Sequence, residues 1–191
     1  AGNYCGTGAA AALPCAAGSF SSSAGLAAAS ECTTCPAGSA CSTGSTAHTQ
    51  CAPGTFTATT GQATCTDCTA GKFQASAGQT ACEDCTAGYY CSPGSAAPLP
   101  CPGGTRKDTT LAVMSSVNDC ITCGVGTFCP VGSATETNCA PGTYTASAGQ
   151  EVCVNCAPGT FQDTAGGTAC VTCTAGNYCG TGAAAALPCA A

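Results

Sequence analysis

Large apolar side chains are sparse in this chain, and most of its rings fall at a fixed step after a cysteine. The motif C-x-x-G-x-Φ recurs as CAAGSF, CPAGSA, CAPGTF, CTAGKF, CTAGYY, CPGGTR, CGVGTF, CAPGTY, CAPGTF and CTAGNY. Its glycine stands in every copy, at positions 18, 38, 54, 71, 88, 104, 126, 142, 159 and 176, while the ring is missing only at Ala40 and Arg106. So strict a glycine marks backbone that needs positive φ or close approach. Each module owns one flat ring, expected to cover a disulfide or the backbone of the neighbouring module. Thr, Phe and Tyr stretches bounded by glycine predict short two-stranded ribbons closed by turns. Long helices are not expected, since even the AAAA at 9–12 is a single turn between glycine and proline.

Two module types can be told apart. Six have a long loop ending in C-x-x-C, as in CAPGTFTATTGQATCTDC, and most carry a second glycine ten residues after the first cysteine (Gly25, Gly61, Gly78, Gly149, Gly166). Four are C-x5-C modules such as CTAGYYCSPGSAAPLPC, with extra Gly and Pro and a turn-rich character.

The modules are themselves repeated. Residues 15–100 and 101–188 are two copies of one five-module repeat, aligned on ten cysteines each, with a two-residue insertion before Cys120. Residues 1–17 and 175–191 are identical, one full period apart. Residues 1–14 then read as the end of a preceding repeat and 189–191 as the start of the next. The segment is expected to be a mature product or a window on a longer array.

Composition changes the picture of the core. Leu, Ile, Val and Met contribute fourteen residues in 191, there is no Trp, and 22 residues are cysteine. Crosslinks, each worth about 2–4 kcal/mol, must replace a large apolar core. So many cysteines place the chain in an oxidising, extracellular setting. Only Lys72, Arg106 and Lys107 are basic, which argues against nucleic-acid binding. The net charge of −6 is thinly spread, and no apolar stretch is long enough to span a bilayer.

If each long loop is closed by its own flanking cysteines, the pairs are Cys15–Cys32, Cys51–Cys65, Cys68–Cys82, Cys101–Cys120, Cys139–Cys153 and Cys156–Cys170. Cys35–Cys41, Cys85–Cys91, Cys123–Cys129 and Cys173–Cys179 complete the set, leaving Cys5 and Cys189 unpaired in this window. A crossed pattern, Cys32–Cys41 with Cys35–Cys51, is the alternative.

Structural zinc would use converging C-x-x-C pairs, yet abutting disulfide loops account for the spacing, and no βαβ context supports a redox motif. Asp67, Glu83, Asp84 and Asp119 lack the spacing of a calcium loop and read as solvated surface. The single His48 is replaced by Glu136 in the second repeat, so no nucleophile–His–acid set recurs and no enzyme activity, metal or cofactor is expected. Ser21, Ser22, Ser23, Thr57, Thr59 and Thr60 are candidate O-glycosylation acceptors. The module at 101–120 departs from the rest through Arg106, Lys107, Leu111 and Met114, read as a lateral contact to a neighbouring chain.

CAPGTFTATTGQATCTDC and CTAGKFQASAGQTACEDC resemble the ephrin-receptor-like cysteine-rich repeat, and also the first half of a tumour-necrosis-factor-receptor cysteine-rich module. The resemblance implies disulfide-closed loops, in line with the sequential pairing. It also implies an elongated rod of small disulfide-rich β or irregular modules with little or no helix. Such rods occur in receptors and in mastigoneme-like surface fibres of algae or protists. The expected function is a repeating structural segment of an extracellular filament, with copies of itself and O-linked glycans as partners; a ligand-binding receptor ectodomain is the alternative. Modules in such a stack are expected to touch only their neighbours.

Overall fold

The structure, a computed structural model, describes residues 1–189. The turn inside each module accounts for its glycine. The Ser19 amide donates to the Ala16 carbonyl at 3.0 Å, closing a four-residue turn whose third residue, Gly18, has φ +84°. Positive φ at that position is the type II signature, and a Cβ there costs about 1–2 kcal/mol. Pro53, Pro141 and Pro158 stand at the second turn position, where their rings preset the backbone. The residue after the glycine adds a second tie. The hydroxyls of Ser19, Thr55, Thr105, Thr127, Thr143 and Thr160 donate to the carbonyl that opens the turn, at 2.6–2.8 Å.

Each turn launches a short strand that is answered by the residues just before the cysteine that opens the next module. Ser19–Phe20 pairs antiparallel with Thr33–Thr34, and Ser39–Ala40 with Thr49–Gln50. Eleven two-stranded ribbons of this kind run through the described residues, the longest joining Thr105–Lys107 to Cys120–Thr122. The inner residues of each C-x-x-C are therefore a return strand. Helix is limited, among the described residues, to two 3-10 turns at Ala29–Glu31 and Val117–Asp119. The fold is thus a tandem series of small disulfide-closed β modules.

Every disulfide joins a cysteine to the next one along the chain. The pairs are Cys15–Cys32, Cys35–Cys41, Cys51–Cys65, Cys68–Cys82, Cys85–Cys91, Cys101–Cys120, Cys123–Cys129, Cys139–Cys153, Cys156–Cys170 and Cys173–Cys179. Cys5 and Cys189 are free and exposed. The two cysteines of each C-x-x-C belong to successive bridges, so neither is available to the other.

Cystine sulfur takes the place of a hydrocarbon core. Cys15, Cys35, Cys51, Cys68, Cys101, Cys123, Cys139 and Cys156 are wholly buried, together with polar Ser39, Thr57, Gln74, Thr145 and Gln162. Met114 is the one large aliphatic side chain buried among the described residues. The polar members are satisfied, as buried polar groups must be. Gln74 and Gln162 span their own loops, donating to Ala81 and Ala169 carbonyls at 2.8 and 2.6 Å. Thr57 and Thr145 reach back to the preceding module, donating to Ser39 and Thr127 carbonyls at 3.3 and 3.2 Å.

The chain divides into two compact units, Ala1–Cys85 with Cys91–Pro98, and Thr86–Tyr90 with Leu99–Ala191. The first holds the modules that begin at Cys15, Cys35, Cys51 and Cys68, and the second those at Cys101, Cys123, Cys139, Cys156 and Cys173.

Candidate functional site: the interface between modules

Among the described residues no group of three or more His, Cys, Asp or Glu side chains is placed to hold a metal ion, and the recurrent interaction surface is backbone. At the first interface of unit one, the Gly18 amide donates to the Cys41 carbonyl at 2.8 Å. The Ser21 amide donates to Ser45 at 3.1 Å, and Gly44 answers by donating to Cys15 at 2.9 Å. Unit two repeats the arrangement, with Gly104 to Cys129 at 2.8 Å, Lys107 to Ser133 at 3.0 Å and Gly132 to Cys101 at 2.8 Å. Parallel bridges from Phe20 to Ser45, Phe73 to Ser95, Arg106 to Ser133 and Phe161 to Ala183 run through the ring slot itself. The neighbour is thus met by the backbone of the ring residue.

The second glycine, where a module carries one, does more than end a turn. The Gly61 amide donates to Cys35 in the preceding module, while its carbonyl sits where a Cβ on Gly18, two modules back, would have to stand. Gly38 with Gly78, Gly54 with Gly94, Gly104 with Gly149, Gly126 with Gly166 and Gly142 with Gly182 repeat this approach. Contacts therefore reach two modules along, which corrects the expectation of nearest-neighbour stacking. The cause is the absent side chain at the turn glycine, whose Cβ position the second glycine's carbonyl occupies. In C-x5-C modules the same role falls to Gly44, Gly94, Gly132 and Gly182.

The residues singled out from the sequence distribute as follows. Of the candidate glycosylation acceptors, Ser22, Ser23, Thr59 and Thr60 are exposed. Ser21 and Thr57 are 5% and 3% exposed, and their hydroxyls are hydrogen-bonded within the fold, so neither is open to a glycan. At the expected lateral contact, Met114 is 4% exposed and turns inward, leaving Leu111 on the surface with Val113 and Val117. Arg106 lies in the ring slot and pairs with Glu136, and Lys107 is half-buried. Of the acidic residues read as solvated surface, Asp67 and Glu83 are exposed, while Asp84 and Asp119 hold partners. Asp84 pairs with Lys72. Asp119 accepts from the Ser115 and Ser116 amides at 2.7 and 3.0 Å, bonds that hold its carboxyl below the usual range. In the first repeat the Glu31 carboxylate accepts from the Ala27 amide at 2.6 Å. Depressions beside Tyr144 are lined by uncharged residues, among them Thr145, Gln150 and Val154. No helix among the described residues is long and apolar enough to cross a membrane.

The sequence model for the tyrosine-protein kinase ephrin type A/B receptor-like family matches residues 54–97 and 142–186. Both matches start at the turn glycine of a long-loop module and lie one repeat apart. Together they cover a little under half of the chain. No curated protein matches it. The chain thus carries ephrin-receptor-like cysteine-rich repeats in tandem, and these with its ten bridges point to an extracellular location.

Proposed function

We propose that this chain, with its ephrin-receptor-like modules, is a non-catalytic structural segment of an extracellular cysteine-rich filament or surface fibre. The reading is carried by one observation: the same backbone docking recurs from module to module, with the same donors and acceptors in both units. An interface built from main-chain groups and glycine can be repeated wherever the motif is repeated, which is what a fibre requires. Its partners are further copies of the same modules, with O-linked glycans on exposed loops such as Ser22–Ser23 and Thr59–Thr60. The alternative, a ligand-binding receptor ectodomain, draws support from the exposed valines gathered in the second repeat. Negative-stain imaging of native material separates the two. Fibres with a regular axial repeat are expected; dispersed single particles would overturn the filament reading and favour the receptor.

A further inference from the structure

An array of near-identical modules docked through main-chain groups has a specificity problem, because the backbone bonds are alike at every interface. One slot breaks the likeness. At the first interface of the first repeat, the rings of Phe20 and His48 meet edge to face, centroids 5.5 Å apart and planes at 63°. His48 Nδ1 lies 3.2 Å from the hydroxyl of Ser39, itself 3% exposed. The second repeat holds Arg106, Thr127 and Glu136 at those three positions. Arg106 Nε is 3.5 Å from Glu136 Oε2. The same oxygen accepts from the Gly124 amide at 3.1 Å and lies 3.5 Å from the Thr127 hydroxyl oxygen. Two later interfaces of the same module order carry Phe73 with Pro98 and Phe161 with Ala186 in these slots, which offer no polar partner.

The two solutions are not interchangeable. Arg106 keeps only a fifth of its side chain exposed and its Nε is buried without a hydrogen bond, so its charge depends on the carboxylate across the interface. A slipped stack would set Arg106 against an imidazole and Phe20 against a carboxylate, stranding a charge in each case. We propose that Phe20–His48 and Arg106–Glu136 are matched specificity pairs. Each long-loop module docks only the C-x5-C module that carries its own partner, so the first interfaces of the two repeats cannot exchange, within one chain or between copies. Each pair lies inside one compact unit, so the inference stands whether or not the protein polymerises.

Amide hydrogen exchange on the disulfide-intact chain tests this, because the bridges keep every module closed while an interface opens. Glu136→His and Arg106→Phe should each speed exchange at Gly104 and Gly132 about tenfold, and the double variant, which transplants the first repeat's pair, should return to within about threefold of the native rates. Gly166, at a separate interface, should not respond. The reciprocal set, His48→Glu, Phe20→Arg and their combination, should behave alike at Gly18 and Gly44. A double variant that exchanges as fast as the product of the singles, or singles that change nothing, would overturn the proposal.

Discussion

The first interfaces of the two repeats share a backbone and differ in almost every side chain that lines them. Phe20, Ser39 and His48 give a ring contact over a hydroxyl, while Arg106, Thr127 and Glu136 give an ion pair over one. The surfaces differ in the same sense. Of the exposed large hydrophobic residues among those described, only Leu13 falls in unit one, while Val113, Val117, Val125, Val131, Val152, Val154 and Val171 all fall in unit two. Glycine and cysteine positions hold the geometry, and the slots between them are free to acquire different chemistry. Docking and identity are thus separable properties of one interface.

The largest test of that separation removes the docking itself. Gly126 and Gly159 have φ +74° and +83°, but a Cβ on Gly126 meets the Gly166 carbonyl, whereas one on Gly159 meets nothing within 4 Å. Gly126→Ala should cost about 3 kcal/mol in denaturant unfolding and Gly159→Ala about 1 kcal/mol, the price of the dihedral alone. Equal losses would mean that close approach contributes nothing.

Next come the identity pairs. Glu136→Gln should cost about 1 kcal/mol and His48→Gln about 0.5 kcal/mol. Added salt should weaken the native second-repeat interface and leave the first unchanged, because only one is ionic. Acid should discriminate them again. The Gly124 amide, and after it the Arg106 charge, hold the Glu136 carboxyl below its usual range. A carboxyl depressed in the fold contributes its stabilisation above the ordinary glutamate value and loses it as pH falls through the lowered folded value. Protection factors at Gly104 and Gly132 should therefore drop on acidification through that window, with Gly18 and Gly44 as the comparison. The smallest effect is expected from the surface. Val154→Thr and Val171→Glu, which install the first repeat's Thr66 and Glu83, should shift stability by about 0.5 kcal/mol or less; a larger loss would mean that these valines are packed.

The class of fold was legible because its determinants are local. A glycine at the third turn position, a strand of two residues and a return strand inside C-x-x-C all lie within one module, so spacing carries them. The reach from Gly18 to Gly61 was not legible. Both glycines look like turn residues, and nothing in the spacing says that the carbonyl of one fills the space above the other. Position 48/136 was visible as a mismatch between repeats. Its partner stands at 20/106, in a different module, and only docking brings the two together. Met114 misled for a related reason: a lone apolar run in a polar chain reads as surface, yet Met114 is buried while Leu111 and Val113 beside it are exposed.

The locality of the bridges also decides how the chain responds to being pulled. Because each cystine joins neighbours in sequence, tension along the backbone passes through sulfur and leaves the residues inside every loop slack. Between bridges, the return strands at 33–34, 66–67 and 83–84 have almost no length to give. Extension is confined to the stretches that follow the C-x5-C bridges, such as 42–50, 92–100 and 130–138. Such a chain yields a little at regular intervals, then stiffens without unravelling.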